Sequence, residues 1–343
     1  MNINNANGIS PEASAAENPA YDIENIKKRL RSVMAGVKEN EAMSGHTTFK
    51  VGGPADIFLD PAGEEELQAA VSILKEAGLP FVVLGNGSNV LIRDGGIRGA
   101  VICLGRGFDR ISVEEEKGLV SAGAGALMSS VARAAADHSL TGLEFASGIP
   151  GSLGGGVFMN AGAYGGELSQ AVVSVRALMP DGKIASFGAE SLDMSYRHSI
   201  FSDNGGIILS ADLQLKSGDP ELIKETMKDL NRRRTEKQPL NYPSAGSTFK
   251  RPKGHFAGKL IQDAGCMGLT VGGAQVSLKH AGFVINKGGA TARDILDLIK
   301  LVQMRVGEMF GVSLEPEVRI MGSDPLQEGR PAGTGGRQPQ KEE

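Results

Sequence analysis

Glycine is concentrated in a few loops of this chain, and this concentration limits the folds that the sequence can adopt. The chain has 48 glycines in 343 residues, and eight of them lie in the 21-residue segment SGIPGSLGGGVFMNAGAYGGE, Ser147 to Glu167. Glycine loses more conformational freedom on folding than any other residue, roughly 0.5–1 kcal/mol relative to alanine in a regular element. We therefore interpret this segment as one side of a binding site, where a large ligand lies directly against the main chain.

A second glycine loop, GNGSN at 85–89, follows the apolar run FVVL at 81–84. It is not a Walker A loop, because no Gly-Lys-Ser/Thr follows, and not a Rossmann fingerprint, because Val90 stands where the third glycine belongs. Successive backbone N–H groups in such a turn can bind anionic oxygens, with Ser88 and Asn89 assisting. An ordinary β-turn is the alternative. These two glycine loops, which we call cradles, lie in separate segments. They suit a dinucleotide that is held at both its pyrophosphate and its ring system.

Composition excludes several function classes. The net charge of −4 gives no general attraction to nucleic acid. No run of about 20 apolar residues could span a membrane, and the start, MNINNANGIS, lacks the features of a secretory signal. Cys103 and Cys266 form no Cys-x-x-Cys motif and suit free thiols in a reducing compartment. We therefore predict a cytoplasmic protein with no metal site, no nucleic-acid or membrane partner and no obligatory protein partner.

Hydrophobic periodicity predicts an α+β protein of three parts between two polar tails, residues 1–20 and 323–343. The first part, 21–110, combines helices with short buried strands, which is typical of a parallel β/α unit. The second, 111–218, alternates strands with glycine-dense turns. The third, 219–313, begins with the helix start Asp219–Pro220 and contains a long helix after Thr291. A final strand in LEPEVRIM, near 314–322, is assigned back to the first part.

Three further segments carry side chains that could perform chemistry. PSAGSTFKRP contains Ser247, but the second glycine of a hydrolase nucleophile elbow is missing. Arg197 in SYRHSIF would on its own be read as an exposed arginine. Glu317 in EPEVRI would face solvent by strict alternation. Each has an ordinary structural interpretation when it is taken alone.

In order, GNGSN, IPGS-x-GG with NAGAYG, YR-x-SIF, PSAGSTFKRP and EPEVR resemble the loops of the UDP-N-acetylenolpyruvoylglucosamine reductase (MurB) family, in its shorter form that lacks an extra substrate-capping loop. The resemblance covers about residues 43–322. It implies a vanillyl-alcohol-oxidase-type (PCMH-like) FAD-binding fold of two subdomains, with a C-terminal α+β domain that binds substrate. It also implies that Ser247 is the proton donor and that Arg197 and Glu317 are the other catalytic residues.

The resemblance implies further contacts, residue by residue. The implied substrate-side residues are Tyr164, Lys237, His280 and Asn286. The implied FAD contacts are Lys50, Gly52, Gly53, Gly85, Asn86, Gly87, Ser88, Asn89, Gly148, Ile149, Pro150, Gly151, Ser152, Gly154, Gly155, Gly162 and Ile208.

The family's reaction uses FAD and NADPH to reduce the enolpyruvyl ether of UDP-N-acetylglucosamine enolpyruvate to UDP-N-acetylmuramate, in peptidoglycan precursor synthesis. Two alternatives remain open at this point. One is another flavin oxidoreductase of the same fold, such as an oxidase. The other is a nucleotide-sugar binder without catalysis, which would not need Ser247, Arg197 and Glu317.

Overall fold

The computed structural model describes residues 21–325. The predicted tail 1–20 and residues 326–343 of the predicted tail 323–343 lie outside the described residues. The first part of the chain forms a small mixed sheet with two helices. Its elements are α1 (Ile23–Val33), β1 (Val37–Ala42), β2 (Pro54–Leu59), α2 (Glu64–Glu76), β3 (Phe81–Leu84), β4 (Val90–Ile92) and β5 (Ile97–Cys103).

The predicted parallel β/α unit is present at the centre of this first sheet. The strand order is β1-β2-β5-β3, in which β5 runs parallel to both β2 and β3 and only β1 is antiparallel. Three glutamates occupy the first turn of α2, where the positive end of the helix dipole favours them. The helix ends before Gly78, whose φ is +65°.

The second part of the chain is built on an antiparallel sheet of five strands in the order β12-β11-β13-β7-β6. Its helix α4 lies inside the second glycine loop, where the sequence had predicted only irregular backbone. The elements are β6 (Ile111–Glu114), β7 (Leu119–Gly123), α3 (Met128–Asp137), β8 (Leu140–Thr141), α4 (Leu153–Phe158), β9 (Gly162–Ala163), β10 (Gly166–Glu167), β11 (Val172–Leu178), β12 (Ile184–Gly188), α5 (Phe201–Asn204), β13 (Ile207–Gln214) and β14 (Lys216–Ser217).

The third part packs helices against a three-stranded sheet, β15-β16-β17. Asp219 caps α6 and Pro220 occupies its first turn, as predicted. Thr291 and Asp294 form the predicted capping box of α8. The elements are α6 (Pro220–Lys237), α7 (Ala257–Asp263), β15 (Thr270–Val271), β16 (Ala274–Val276), β17 (Val284–Asn286), α8 (Ala292–Phe310) and β18 (Arg319–Met321).

The last strand, β18, returns to the first part of the chain. It is shorter than LEPEVRIM, because a bend at Val318 precedes it. Arg319 pairs with Val90 in a parallel ladder between β18 and β4. This return brings the EPEVR segment beside the GNGSN loop. We propose that the domain boundaries lie at residues 110, 218 and 313, as the sequence predicts, and that β18 belongs to the first subdomain.

Clusters of buried hydrophobic residues hold the three parts of the chain together. One cluster of buried residues runs from Ile26 to Leu215 through both predicted FAD subdomains. A second cluster joins the third part to Phe49, Val51 and Leu91. Over residues 21–325, none of the helices is long and apolar enough to cross a membrane, and no group of three or more His, Cys, Asp or Glu side chains there could hold a metal ion.

Candidate active site

The serine loop is paired directly with the segment that carries Glu317. The Glu317 amide donates to the Thr248 carbonyl at 2.8 Å, and the Lys250 amide donates to the Glu315 carbonyl at 2.8 Å. Phe249 and Pro316 form the bridge between these contacts. Two segments about 70 residues apart in sequence therefore lie side by side.

Arg197 reaches the same place from the second part of the chain. Its Nε donates to Glu317 Oε1 at 2.6 Å, and the two side chains are only 23% and 10% exposed. Arg197 is the second central residue of a tight turn closed by Ser195 and His198, and its φ is +59°. Non-glycine residues held in this conformation cost about 1–3 kcal/mol and cluster at functional sites. The exposed-arginine and solvent-facing-glutamate interpretations are therefore both wrong for this pair.

The Glu317 carboxyl has an unusual proton affinity. Burial raises its pKa above the ordinary glutamate value, and the Arg197 guanidinium opposes this shift without cancelling it. Desolvation disfavours the charged form of a carboxyl, whereas a neighbouring cation favours it. The site can therefore supply a protonated carboxyl at a higher pH than free glutamate would allow.

Ser247 is exposed at the tip of its loop, whereas the next residue, Thr248, is fully buried. The Thr248 hydroxyl accepts the Val284 amide at 3.0 Å, and the Thr248 amide donates to the Gly282 carbonyl at 2.8 Å. The residue that follows Ser247 is thus fixed by two hydrogen bonds. Among residues 21–325, no hydrogen bond engages the Ser247 hydroxyl itself, so this group is available to a bound molecule.

The two glycine loops face each other closely. The Asn86 side-chain amide donates to the Pro150 carbonyl. A β-carbon placed on Gly85 would overlap Ser152 Oγ and would lie 3.1 Å from Ser152 Cβ, and one placed on Gly151 would lie 3.3 Å from Ser88 Oγ. The absence of a side chain at Gly85 leaves room for Ser152 in this position. We propose that these two adjacent loops, the predicted cradles, form the two walls of one cleft.

Polar groups of the cleft are left without partners inside the described chain. Ser152 Oγ is buried and has no hydrogen-bond partner among residues 21–325. Within the same residues, no acceptor is found for the backbone N–H groups of Asn86, Gly87, Ser88 and Asn89. Buried polar groups are nearly always satisfied in native proteins, so the buried Ser152 Oγ in particular requires a partner. A ligand rich in oxygen and nitrogen acceptors would satisfy them, and the residues present therefore fit FAD.

The other predicted FAD contacts lie in three segments, and their contacts with the cofactor stay predictions. Thr48 donates its amide to the Gly87 carbonyl at 3.1 Å, which seats the segment containing Lys50, Gly52 and Gly53 beside the GNGSN loop. Ile208 is a buried residue of β13. The remaining predicted contacts all belong to the second glycine loop, which includes α4 and β9. They are Gly148, Ile149, Gly154, Gly155 and Gly162.

The predicted substrate-side residues are placed less uniformly. Tyr164 is 45% exposed near the second loop. His280 lies behind the serine loop, where its Nδ1 accepts the Gly282 amide at 3.1 Å and burial lowers its pKa. Lys237 is exposed at the end of α6, and no contact ties it to Arg197, Glu317 or the serine loop. These placements leave their substrate contacts as predictions.

Asn286 is used differently from the predicted substrate contact. It is 7% exposed. Its Nδ2 donates to the Phe49 carbonyl at 3.1 Å, and its Oδ1 accepts the amides of Gly288 and Ala290 at 3.0 and 3.2 Å. Both ends of the side-chain amide are thus engaged inside the chain. These contacts favour a structural role, in which Asn286 joins the cofactor segment to the third part of the chain.

Arg234 is a residue of the cleft that the sequence analysis missed. A β-carbon on Gly148 would lie 3.1 Å from Arg234 Nη1, so this guanidinium contacts the second glycine loop. Burial lowers the Arg234 pKa, and the nearby Tyr164 opposes this shift. The signal was available, because Arg234 lies seven residues after Met227 and therefore shares its inward face of α6. Arg232, Arg233 and Arg234 are consecutive near the C-terminal end of α6, where the helix dipole favours basic residues, so the sequence alone favours a surface role for Arg234.

Family models match both halves of the architecture. Residues 55–188 match an FAD binding domain, and residues 238–321 match the C-terminal domain of UDP-N-acetylenolpyruvoylglucosamine reductase. The predicted α+β FAD-binding fold is therefore confirmed.

Curated relatives and a solved structure match over nearly their whole lengths. UDP-N-acetylenolpyruvoylglucosamine reductase of Clostridium novyi is 53% identical over 301 residues, which cover 87% of this chain and 97% of that protein. The Clostridioides difficile protein of the same name is 51% identical and covers 84% and 94%. The crystal structure of the Thermus caldophilus reductase (MurB) has a TM-score of 0.70 and 37% identity, with 82% and 97% covered. With this identity over this much of each protein, the chain belongs to the UDP-N-acetylenolpyruvoylglucosamine reductase family.

Proposed function

We propose that this protein catalyses the NADPH-dependent reduction of UDP-N-acetylglucosamine enolpyruvate to UDP-N-acetylmuramate, with FAD as its cofactor, and so supplies peptidoglycan synthesis. Membership of the reductase family supports this activity over the oxidase alternative. The observation that carries it in the structure is the Arg197–Glu317 pair, 2.6 Å apart, beside the serine loop. The two free thiols suit action in the cytoplasm.

The residues of the cleft would hold the cofactor as follows. The backbone N–H groups of residues 86–89 would donate to the pyrophosphate oxygens, and Ser152 Oγ would find a hydrogen-bond partner on the same molecule. Lys50, Gly53 and Ile208 line the remaining walls. When bound, FAD would supply the hydride chemistry that links NADPH to the vinyl carbon of the substrate.

Arg197 and Glu317 stabilise the negative charge that the substrate develops. Addition of hydride to the terminal vinyl carbon places charge on the carbon beside the carboxylate, as an enolate. The Arg197 guanidinium holds the carboxylate through charge-assisted hydrogen bonds. Burial raises the pKa of Glu317, and the protonated carboxyl donates a hydrogen bond to the same oxygens. Groups that are already in position where charge develops are commonly the largest contribution to catalysis.

Ser247 completes the reaction by giving its hydroxyl proton to the enolate carbon. A carbanion-like centre is basic enough to accept a proton from an alcohol, so no histidine or aspartate is needed to activate the serine. The exposed hydroxyl on a fixed loop suits this role, because proton transfer depends on position first. A positioned acid contributes about 10²–10⁴-fold to the rate.

The experiment separates the two half-reactions. In Ser247→Ala we expect flavin reduction by NADPH to keep its rate, while flavin reoxidation by the enolpyruvyl sugar slows about 10²–10⁴-fold. Ser244→Ala, in the same loop, is the matched control and should leave both rates unchanged. Stopped-flow absorbance at the flavin band measures both steps. Equal losses in the two half-reactions would make Ser247 a structural residue and overturn the proposed role.

A further inference from the structure

The turn that carries Arg197 is held on both sides by buried polar side chains. Before Arg197, the Asn160 side-chain amide donates to the Ser195 carbonyl at 3.2 Å. After Arg197, the Ser199 hydroxyl donates to the Phe158 carbonyl at 2.8 Å. Asn160 is 1% exposed and Ser199 is fully buried. The proposed chemistry gives neither side chain a role.

Both of these hydrogen bonds lead to the end of α4. Phe158 is the last residue of that helix, and Asn160 lies two residues after it. The Asn160 Oδ1 accepts the Ser169 amide at 2.9 Å, so the side chain is held at its oxygen as well as at its nitrogen. The φ of Asn160 is +42°, a conformation that asparagine adopts more readily than most residues. The donor that meets the Arg197 turn is therefore itself fixed in place.

The backbone of Arg197 needs this support. Its φ of +59° is unfavourable for a residue with a β-carbon. The two backbone hydrogen bonds of the turn, between Ser195 and His198, are both 3.2 Å long, which is the long end of the usual range. The side-chain hydrogen bonds of Asn160 and Ser199 therefore stabilise a backbone conformation that the turn alone holds weakly.

We propose that Asn160 and Ser199 are positioning residues for Arg197, and that they fix its guanidinium against the Glu317 carboxyl. A displacement of about 1 Å in an active site can cost about 10²-fold in rate. The helix that they hold, α4, follows Ser152, the buried hydroxyl assigned above to FAD. One short helix would thus join the cofactor cleft to the catalytic arginine. The inference rests on the proposed function.

The test begins with Ser199→Ala, which removes one buried hydroxyl and leaves Arg197 in the chain. We expect flavin reoxidation by the enolpyruvyl sugar to slow about tenfold or more, while flavin reduction by NADPH keeps its rate. Asn160→Asp keeps the oxygen that accepts the Ser169 amide but loses the donor to the turn, so it should show the same selective loss. Ser195→Ala is the matched control, because Ser195 is exposed in the same turn and its hydroxyl forms no hydrogen bond within the described chain.

Two further readouts separate positioning from a general structural role. In Ser199→Ala the alkaline decline of the reoxidation rate should move to higher pH, because a displaced Arg197 opposes the burial of Glu317 less. Lys250, the other cation that lowers the pKa of Glu317, is unchanged in this variant. In an Arg197→Met background, Ser199→Ala should cause no further loss, because residues that act through one another are not additive.

Unchanged reoxidation in Ser199→Ala would overturn the proposal. So would equal losses in the two half-reactions, an unmoved alkaline decline, or a full additional loss in the Arg197→Met background, since each would mean that Ser199 does not act through Arg197. Failure of the unmodified protein to be reoxidised by the enolpyruvyl sugar would instead contradict the proposed function itself.

Discussion

Among single residues, Glu317 controls how the site should respond to pH. Its raised pKa means that the folded protein holds this proton more tightly than the unfolded chain does. The stability that the group contributes is present below the glutamate pKa of the unfolded chain, and it is lost as pH rises through the higher folded pKa. The hydrogen bond that the protonated carboxyl donates to substrate is lost in the same range.

We therefore predict that the rate of flavin reoxidation by the enolpyruvyl sugar falls as pH rises through the folded pKa of Glu317. Glu317→Gln cannot ionise and should lose this alkaline decline, at a rate reduced about tenfold or more because one charge-stabilising group is altered. A pH series of single-turnover reoxidation rates measures the effect. An identical alkaline midpoint in Glu317→Gln would assign the titration to another group.

At the scale of elements, the cleft depends on two loops that approach without side chains between them. Gly85→Ala would place a β-carbon against Ser152 and push the loops apart. Overpacking of this kind costs about 1–3 kcal/mol, so we predict that FAD affinity falls about tenfold or more. Flavin fluorescence quenching measures this affinity.

The matched control for this substitution is Gly45→Ala, because a β-carbon on Gly45 meets nothing within 4 Å. Its FAD affinity should equal that of the unmodified protein. If Gly85→Ala also bound FAD normally, the close approach of the two loops would have no part in holding the cofactor.

Most elements could be predicted from the sequence because their signals are local. The cap of α6 and the capping box of α8 depend on residues within one turn. The helix in the second glycine loop was missed because glycine is a poor helix former, and long-range contacts stabilise it. The Gly154 amide, for example, donates to the Ala124 carbonyl at 2.8 Å.

The candidate site was predictable only in part from the residues. The Arg197–Glu317 pair spans 120 positions, and no periodicity reports such a contact. The ordered set of loops that resembles the reductase family supplied this pair. For Asn286, the resemblance to the family suggested a substrate contact but could not report the hydrogen bonds that its side-chain amide forms inside the chain.

At the scale of the whole molecule, the third part of the chain is joined to the first part by the second hydrophobic cluster and by polar contacts. Asp94, in the loop after β4, accepts the amides of Ala292 and Arg293 at 2.8 and 2.9 Å, in the first turn of α8. A carboxylate at a helix N-terminus satisfies free donors and complements the helix dipole. This contact joins the part of the chain that carries Ser247 to the part that carries the GNGSN loop.

We predict that Asp94→Ala lowers the free energy of unfolding by about 1–2 kcal/mol, the range for a lost helix-end acceptor. Asp297→Ala is the matched control on the same helix. Its ion pair with Arg293 is exposed, so its loss should cost less than about 0.5 kcal/mol. Urea unfolding measures both variants, and equal losses would show that Asp94 does not fasten the two parts.

The central claim is that two glycine loops form one cleft, and that a flavin bound in this cleft lies next to Ser247, Arg197 and Glu317. An anaerobic absorbance trace at the flavin band tests it most directly, with NADPH added first and UDP-N-acetylglucosamine enolpyruvate second. The account predicts a yellow protein that bleaches with NADPH and regains its colour with the sugar nucleotide, while UDP-N-acetylglucosamine has no effect. A bleached protein that stays colourless after the enolpyruvyl sugar, or a chain that takes up no FAD, would contradict it.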